Sequence, residues 1–172
     1  MKPRRLLLLS ALLLGLSACS SDPARGYTFG GVYDTSRSTV AVEIFRNDTH
    51  DRDFEYDLVD AMIKTIERQT PYKVASPRDA DTILTGRIRS VERRQLSKSP
   101  QSGLSEEVAL SVTIDVEWLD LRTGGSLLKL ESFTSQGVFF PSRPLGEPLE
   151  LGRFAAVQSL AQDVVDQMQA AW

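Results

Sequence analysis

The sequence predicts an α+β fold, a two-layer sandwich in which two helices cover one face of a four-stranded mixed sheet. Four segments are strand-like, and in the clearest of them apolar residues occupy every second position. Two longer segments repeat apolar residues every three or four positions, which is typical of helices with one buried side. The segments follow the order β-α-β-β-β-α, and packing both helix stripes on one sheet face is the simplest way to bury them.

The first predicted strand covers residues 39–45, with Val40, Val42 and Ile44 on one side. Asp53 is a plausible N-cap for a helix that continues to about Gln69. Pro71 follows and cannot continue that helix. The apolar stripe of the helix is Phe54, Leu58, Val59, Met62, Ile63 and Ile66.

Three further strands are predicted in the middle of the chain. The first covers residues 82–95 and is followed by a polar loop over residues 96–105. Residues 107–119 form the clearest strand, because apolar side chains occupy alternate positions from Val108 to Trp118. A turn over residues 120–125 ends in two glycines, which supply the positive φ angles of a tight hairpin, and residues 127–137 form the returning strand.

A final helix is predicted over residues 150–171. Its apolar residues are spaced three and four apart, so they form one stripe for the same side of the sheet. This stripe consists of Phe154, Val157, Leu160, Ala161, Val164, Val165, Met168 and Ala171.

The first 18 residues have the features of a secretory signal peptide. Lys2, Arg4 and Arg5 precede an apolar run from Leu6 to Leu16, which is interrupted only by small residues. This run of eleven residues is too short to span a membrane, since a transmembrane helix needs about 20. We therefore expect the segment to direct export and then to be removed.

Cys19 is the expected site of lipid attachment. Leu16-Ser17-Ala18-Cys19 resembles the bacterial lipobox, in which the thiol receives a diacylglycerol before cleavage. An ordinary signal peptide followed by a stray cysteine is the alternative, but Cys19 is the only cysteine and lies where the lipobox needs one. The predicted organisation is a signal peptide over 1–18, a lipidated tether over 19–25 and one α/β domain over 26–172. The residue after the cysteine is Ser20. By resemblance to lipoprotein sorting in enteric bacteria, where Asp at this position favours retention in the inner membrane, we expect an anchor on the periplasmic face of the outer membrane.

Charge and residue types exclude several classes of function. Three of the 20 Lys and Arg residues lie in the leader, so the mature chain has 17 against 23 acidic residues and a net charge near −6. Because a nucleic-acid-binding domain is usually basic, this charge argues against nucleic-acid binding. His50 is the only histidine and follows Asp48 in a polar turn, so neither a multi-histidine metal site nor a catalytic triad is indicated. We predict no enzyme activity, no metal and no cofactor, apart from the N-acyl diacylglycerol on Cys19.

A cluster of basic residues is the best candidate for ligand binding. Arg93, Arg94 and Lys98 lie beside the polar loop, and a guanidinium group there could bind a phosphate through two hydrogen bonds. Glu106 and Glu107 begin the facing strand and offer an internal alternative as ion-pair partners. Arg87, Arg89 and Arg93 would share one face of an unbroken strand, where cross-strand pairing is the alternative for Arg87 and Arg89.

Three segments resemble the LptE family of lipopolysaccharide-assembly lipoproteins. Residues 26–31, Gly-Tyr-Thr-Phe-Gly-Gly, resemble the opening motif of the family. Residues 40–47 resemble its first strand and the Asn that ends it. Residues 80–88, which begin Ala-Asp and contain Gly86, resemble its second strand. The order of helices and strands matches as well, so the resemblance covers nearly all of the mature chain.

The resemblance implies an outer-membrane lipoprotein that plugs the barrel of the LptD translocon and binds lipopolysaccharide during its insertion. It also implies that basic residues near the middle strands take part in binding, and Arg93, Arg94 and Lys98 occupy a comparable region. The rival interpretation is an adaptor lipoprotein that activates a periplasmic cell-wall synthase or joins a secretion pore. A large β-barrel among co-purifying proteins would distinguish the first interpretation from the second.

Overall fold

The computed structural model describes residues 36–141, 146 and 148–170, and the last of these without its side chain. Its helices and strands all belong to one structural unit, residues 33–172. The predicted signal peptide, Cys19, the tether, the opening Gly-Tyr motif and Ala171 lie outside the described residues. The boundaries predicted at residues 18 and 25 therefore stay predictions.

The described chain contains two helices and six strands in one mixed sheet, so the predicted α+β sandwich is confirmed. In chain order the elements are β1 (Thr39–Val42), β2 (Arg46–Asn47), α1 (Phe54–Gln69), β3 (Lys73–Val74), β4 (Thr82–Lys98), β5 (Ser105–Asp120), β6 (Ser126–Phe139) and α2 (Leu149–Ala170). The order in the sheet is β3-β1-β4-β5-β6, and β2 pairs separately with β4. Strands β1, β2 and β3 run parallel to their partners, whereas β4, β5 and β6 form antiparallel hairpins.

The prediction of four strands was wrong in one respect, because the sheet contains two additional short strands. The predicted strand over 39–45 leaves the ladder after Val42 and pairs with β4 again only at Arg46 and Asn47. The side chain of Phe45 between them is buried. The second addition, β3, is a two-residue segment after α1 that pairs with β1. Such short segments are below the length at which alternation can be read from sequence.

The core lies between the two helices and one face of the sheet. In β5, residues with buried side chains alternate with more exposed ones from Leu110 to Asp120, as predicted. Trp118 is fully buried and meets the ring of Tyr72 edge to face, with ring centroids 5.7 Å apart. The fully buried α1 residues include Leu58, Met62 and Ile66. The other face of the strands therefore remains polar and open to solvent.

Both helix boundaries of α1 have a local explanation. Asp53 occupies the N-cap position but has a left-handed backbone, with φ of 64°, and its carboxylate makes no capping hydrogen bond. Acidic Glu55 and Asp57 in the first turn complement the positive end of the helix dipole instead. At the other end the Thr70 N–H and hydroxyl both donate to the carbonyl oxygen of Ile66.

Helix α2 packs mainly on β6 and α1. Most of its predicted stripe is buried, from Val157 through Met168, but Phe154 is 62% exposed, so its predicted burial was wrong. Phe154 lines the groove between the helices, where the opposite side consists of Asp53 at the N-cap of α1 and of Asp57 and Asp60 within it, and offers no apolar partner.

Candidate functional site

A broad depression on the described surface lies on the open face of the sheet, away from the helices. It is a trough of about 440 Å³ crossed by β4, β5 and β6, with Arg46 of β2 at its side. Its charged lining residues are Arg46, Arg87, Arg89, Asp115, Glu117, Lys129 and Glu131.

Irregular strand pairing creates this trough. The register between β4 and β5 shifts between Ile88 and Ser90, and the register between β5 and β6 shifts between Ile114 and Val116. A bulge bends its strand and redirects the side chains beside it. Ser132, on the β6 side of the second shift, has φ of 52°, which is uncommon for a residue with a side chain. The two bulges therefore turn charged side chains of three strands into one depression.

Cations and carboxylates are paired within the trough and at its side. Arg89 Nε donates to Asp115 Oδ2 at 2.6 Å, and Lys129 Nζ lies 2.7 Å from Glu131 Oε1. At the side of the trough, Arg46 Nε donates to Asp48 Oδ1 at 2.8 Å, and Arg87 Nη1 lies 3.5 Å from the other oxygen of Asp48. Cross-strand pairing is thus confirmed for Arg89, whereas for Arg87 it was wrong, because Arg87 pairs with Asp48 and not with a carboxylate of the facing strands.

The carboxylate of Asp115 organises the centre of the trough. Its Oδ1 accepts a hydrogen bond of 2.9 Å from the Ser132 N–H. That bond, followed by the contact with Arg89, lowers the pKa of Asp115 below its ordinary value. The hydrogen bond from Lys129 to Glu131 raises the pKa of the lysine. Both groups are consequently charged at neutral pH.

The arginines of the trough keep much of their donor capacity. Arg87 and Arg89 are 47% and 51% exposed, and Arg46 is more exposed still. Arg46 and Arg89 each use Nε for the hydrogen bond to their carboxylate. A guanidinium group has five N–H donors, so its terminal nitrogens remain able to bind a second oxyanion such as a phosphate. The arrangement fits reversible binding of an anionic group.

The predicted cluster of Arg93, Arg94 and Lys98 is not one patch. Arg93 pairs in register with buried Leu110 and lies on the helix side, where it lines a small cavity with Phe54. Arg94 pairs with Ala109 and points to the opposite face, and Lys98 lies near the end of β4. The shift after Ile88 also breaks the alignment of Arg93 with Arg87 and Arg89 that an unbroken strand would give. Glu107 lies opposite Ser97, and within the described part of the chain none of the three cations forms an ion pair.

Arg46 and Lys129 are site residues that the sequence interpretation missed. The sequence did contain a pattern from which Lys129 could have been found. In the predicted strand over residues 127–137, apolar Leu128 and Leu130 alternate with charged Lys129 and Glu131. Arg46 had none, because its place in the trough depends on the pairing of the two-residue strand β2 with β4.

A protein-family model for lipopolysaccharide assembly, LptE, matches residues 37–171. The chain belongs to the LptE family. The resemblance inferred from short motifs is therefore confirmed, and it places the chain among the lipopolysaccharide-assembly proteins associated with the outer membrane.

Solved structures show the same fold at low sequence identity. A protein from Xanthomonas campestris matches with a TM-score of 0.55 and 10% identity over 78% of this chain and 85% of the other. A hypothetical protein from Chlamydia trachomatis matches with a TM-score of 0.53 and 7% identity, over 78% and 97% of the two chains. At these identities the likeness concerns the fold alone. No curated protein sequence matches the chain.

Two LptE-like motifs have structural roles in this chain. Asp81 Oδ2 accepts hydrogen bonds from the backbone N–H groups of Ser38 and Thr39 and from the Thr39 hydroxyl, which fixes the start of β1 against β4. These bonds, led by that from the Ser38 N–H, lower the pKa of Asp81 to about 2. Gly86 leaves room for Phe45, whose ring would lie 2.6 Å from a β-carbon at that position.

The Asn that ends the first-strand motif organises the loop before α1. Asn47 Nδ2 donates to the Asp51 carbonyl and to Glu55 Oε2, while its Oδ1 accepts hydrogen bonds from Thr49. Asn47, Asp81 and Gly86 of the LptE-like motifs therefore maintain the fold, whereas Arg46 and Arg87 of the same segments line the trough.

Other predicted features of the described residues are simple to place. His50 is exposed in the loop before α1. Across the described residues, no group of three or more His, Cys, Asp or Glu side chains is arranged to hold a metal ion. Neither α1 nor α2 combines the length and the apolar character that a membrane-crossing helix needs.

Proposed function

We propose that this chain is a non-enzymatic outer-membrane lipoprotein of lipopolysaccharide assembly. It is anchored through Cys19 at the periplasmic face, acts as partner and plug of an LptD-like β-barrel, and binds lipopolysaccharide. The observation that carries the proposal is the family match, which extends over residues 37–171 and so includes every described helix and strand.

The chemistry of the trough favours binding over catalysis. A general acid must hold a proton near neutral pH, whereas the lowered pKa of Asp115 keeps this carboxylate ionised. The hydrogen bond to Glu131 raises the pKa of Lys129, so this amine is protonated at neutral pH and is poorly suited to act as a nucleophile or base. Fixed charges of both signs are suited to recognising a charged, polar molecule.

Lipopolysaccharide offers the anionic groups that the trough can bind. Its lipid portion carries phosphates, and Arg46, Arg87 and Arg89 converge on one depression with their guanidinium groups partly exposed. Exposed ion pairs are weak because water solvates both partners, so a phosphate can replace a carboxylate with little loss. In the same proposal Arg93, Arg94 and Lys98 provide further, separate phosphate contacts, with Arg93 on the helix side of the sheet, Arg94 on the opposite face and Lys98 near the end of β4.

The open face of the sheet also fits the interior of a large β-barrel, which is polar. On this face Thr113 and Thr134 share a hydrogen bond of 2.8 Å between their hydroxyl groups, and Arg89 pairs with Asp115. A face of hydroxyl groups and balanced charges can meet a polar barrel wall through hydrogen bonds and bridging water.

We expect the tagged chain, purified from outer membranes in mild detergent, to bring down one large β-barrel protein. Mass spectrometry of the co-purified proteins identifies the partner, and an unrelated lipoprotein with the same tag controls for membrane carry-over. Recovery of a periplasmic cell-wall synthase or a secretion-pore component instead of a barrel would contradict the proposal and favour the adaptor interpretation.

We expect the double variant Arg87→Ala, Arg89→Ala to bind lipopolysaccharide about tenfold more weakly, since each lost charge-assisted hydrogen bond is significant in binding. The triple variant Arg93→Ala, Arg94→Ala, Lys98→Ala should also bind lipopolysaccharide more weakly. In both variants the affinity for lipopolysaccharide should depend less on salt concentration. Immobilised lipopolysaccharide and a salt series provide the measurement. Thermal stability should change little, because these side chains are exposed.

Lys64→Ala is the matched control for these variants. Lys64 is an exposed cation on α1 that pairs with Asp60, so its loss changes net charge without touching the trough. Unchanged affinity in the Arg87 and Arg89 variant at both low and high salt would end the assignment of the trough.

A further inference from the structure

Two arginines of the trough lie side by side on neighbouring strands. Arg46 of β2 pairs in register with Arg87 of β4, and both side chains line the depression. Like charges on adjacent strands repel each other, so this arrangement is unfavourable unless an anion lies between the two guanidinium groups. The pair therefore has the properties of an anion-binding subsite within the trough.

Asp48 supplies an anion to this pair from within the chain. Arg46 Nε donates to Asp48 Oδ1 at 2.8 Å, and Arg87 Nη1 lies 3.5 Å from Asp48 Oδ2. One carboxylate therefore bridges the two guanidinium groups, with one oxygen for each. A phosphate group offers oxygens in the same arrangement, since arginines bind carboxylates and phosphates in the same geometry.

The carboxylate of Asp48 can leave the two arginines without disturbing the fold. The backbone N–H of Asp48 donates to the Ile88 carbonyl oxygen at 3.1 Å, which fixes the main chain independently of the side chain. In the described residues, Arg46 and Arg87 are the only partners of the carboxylate. The Asp48 side chain is 32% exposed, and ion pairs that water reaches contribute little to stability.

Asp115, the carboxylate that pairs with Arg89, is held differently. Its Oδ1 accepts a hydrogen bond of 2.9 Å from the Ser132 N–H, while its Oδ2 accepts from Arg89. The backbone donor keeps Asp115 in place independently of the arginine. Of these two carboxylates, only Asp48 is held by arginine side chains alone, so an incoming anion displaces Asp48 more easily than Asp115.

We infer that Arg46 and Arg87 form a subsite for a phosphate monoester and that Asp48 is its internal occupant. Binding exchanges the carboxylate for the phosphate between the same two guanidinium groups. The exchange is favourable because a phosphate monoester carries about −1.5 to −2 charge at neutral pH, against the single charge of a carboxylate. This inference rests on the proposed function for the assignment of the phosphate to lipopolysaccharide, and it adds a residue that sets how tightly the trough binds.

Asp48→Asn tests the inference in the full chain, purified from membranes in mild detergent. The probe is immobilised lipid A, the phosphorylated lipid portion of lipopolysaccharide. Asparagine keeps the size of the side chain but removes the competing charge. We therefore expect the affinity for lipid A to rise about fivefold, which corresponds to the loss of one competing exposed ion pair. Asp48→Ala is the second variant if the thermal melt shows that Asp48→Asn folds poorly.

Asp60→Asn is the matched control. Asp60 also forms an exposed ion pair, with Lys64, but it lies on α1, on the other side of the sheet from the trough. The substitution changes net charge by the same amount, and the affinity for lipid A should not change. Adding Arg46→Ala to Asp48→Asn should cancel the gain, because one of the two guanidinium groups that the phosphate bridges is then missing.

Inorganic phosphate distinguishes a lipid phosphate from a free phosphate, which has the same chemistry. In excess, it should displace the Asp48→Asn chain from lipid A only partly, because it makes none of the other contacts of the lipid. If the Asp48→Asn chain binds inorganic phosphate but not lipid A, the subsite takes free phosphate and its assignment to lipopolysaccharide is overturned.

Three further results would overturn the inference. They are an unchanged or lower affinity of folded Asp48→Asn for lipid A, an equal gain from Asp60→Asn, and an equal gain for lipid A from which the phosphates have been removed. If Asp48→Asn has unchanged affinity while Arg87→Ala, Arg89→Ala still weakens lipopolysaccharide binding, Asp48 is not an internal occupant and the proposed function stands. If the unsubstituted chain binds no lipid A, the proposed lipopolysaccharide binding fails together with the inference.

Discussion

Replacing Gly137 by alanine should destabilise the domain by about 3 kcal/mol or more, the upper part of the range for overpacking in a core. A β-carbon on Gly137 would overlap the backbone of α2, lying 2.7 Å from Ala156 Cα and 2.8 Å from the Ala155 carbonyl carbon, with the Ala156 nitrogen closer still. Backbone atoms cannot rotate away as a side chain does. The whole helix must therefore move off β6. Urea unfolding followed by circular dichroism measures the loss.

Gly125→Ala is the control for this substitution. The nearest atom to a β-carbon at Gly125 is the Thr123 hydroxyl oxygen at 3.3 Å, and a small rotation of that side chain relieves the contact. We expect a change within about 0.5 kcal/mol, as for most surface substitutions. A Gly137→Ala protein as stable as the Gly125→Ala protein would show that α2 does not sit this close to β6.

Gly152 makes the same point from the helix side. A β-carbon there would lie 2.7 Å from Cγ of the Phe139 ring. Gly137 on β6 and Gly152 on α2 thus allow the helix to pack close to the end of the strand. This close packing fixes the position of α2, which completes the core. Periodicity in the sequence predicts both β6 and α2, but it does not predict how close together they pack.

Regular elements were predictable because one physical signal decides them. In β5 the alternation of Leu110, Val112, Ile114, Val116 and Trp118 with polar residues specifies both the strand and its buried face, and all five are buried. Helix α1 is specified equally well by Leu58, Met62 and Ile66. Each pattern is local, because a repeat of one period along about a dozen consecutive residues is enough to predict the element and its buried face.

The trough could not be predicted in the same way. The shift after Ile88 results from the pairing of β4 with β5, so neither strand alone reveals that Arg93 and Arg89 fall on different faces. Arg46 and Lys129 lie far apart in sequence and line the same depression only because β4 and β5 lie between their strands. Phe154 continues the α2 stripe in sequence, yet the facing turn of α1 carries carboxylates and leaves it exposed. These features depend on two or more elements at once.

Cys19→Ala should abolish lipid attachment and leave the chain either uncut or soluble. The expectation comes from the sequence, because Leu16-Ser17-Ala18-Cys19 follows a basic start and an apolar run, and the chain has no other cysteine. A diacylglycerol and an amide-linked acyl chain together exceed the two lipid signals needed for stable anchoring, whereas the polar tether offers none. Metabolic labelling with a radioactive fatty acid, followed by membrane fractionation, measures both effects.

Ser20→Ala controls for changes near the cleavage site, since it leaves the thiol and the preceding residues intact; its label and membrane fraction should match the unsubstituted chain. In Cys19→Ala the label should be absent, and the chain should remain uncut or appear in the soluble fraction. Capture of the barrel partner should fall with it, because the anchor confines both proteins to one membrane and raises their effective concentration. Label on Cys19→Ala at the level of the unsubstituted chain would show that the lipid is attached elsewhere, and the assignment of the anchor to Cys19 would be wrong.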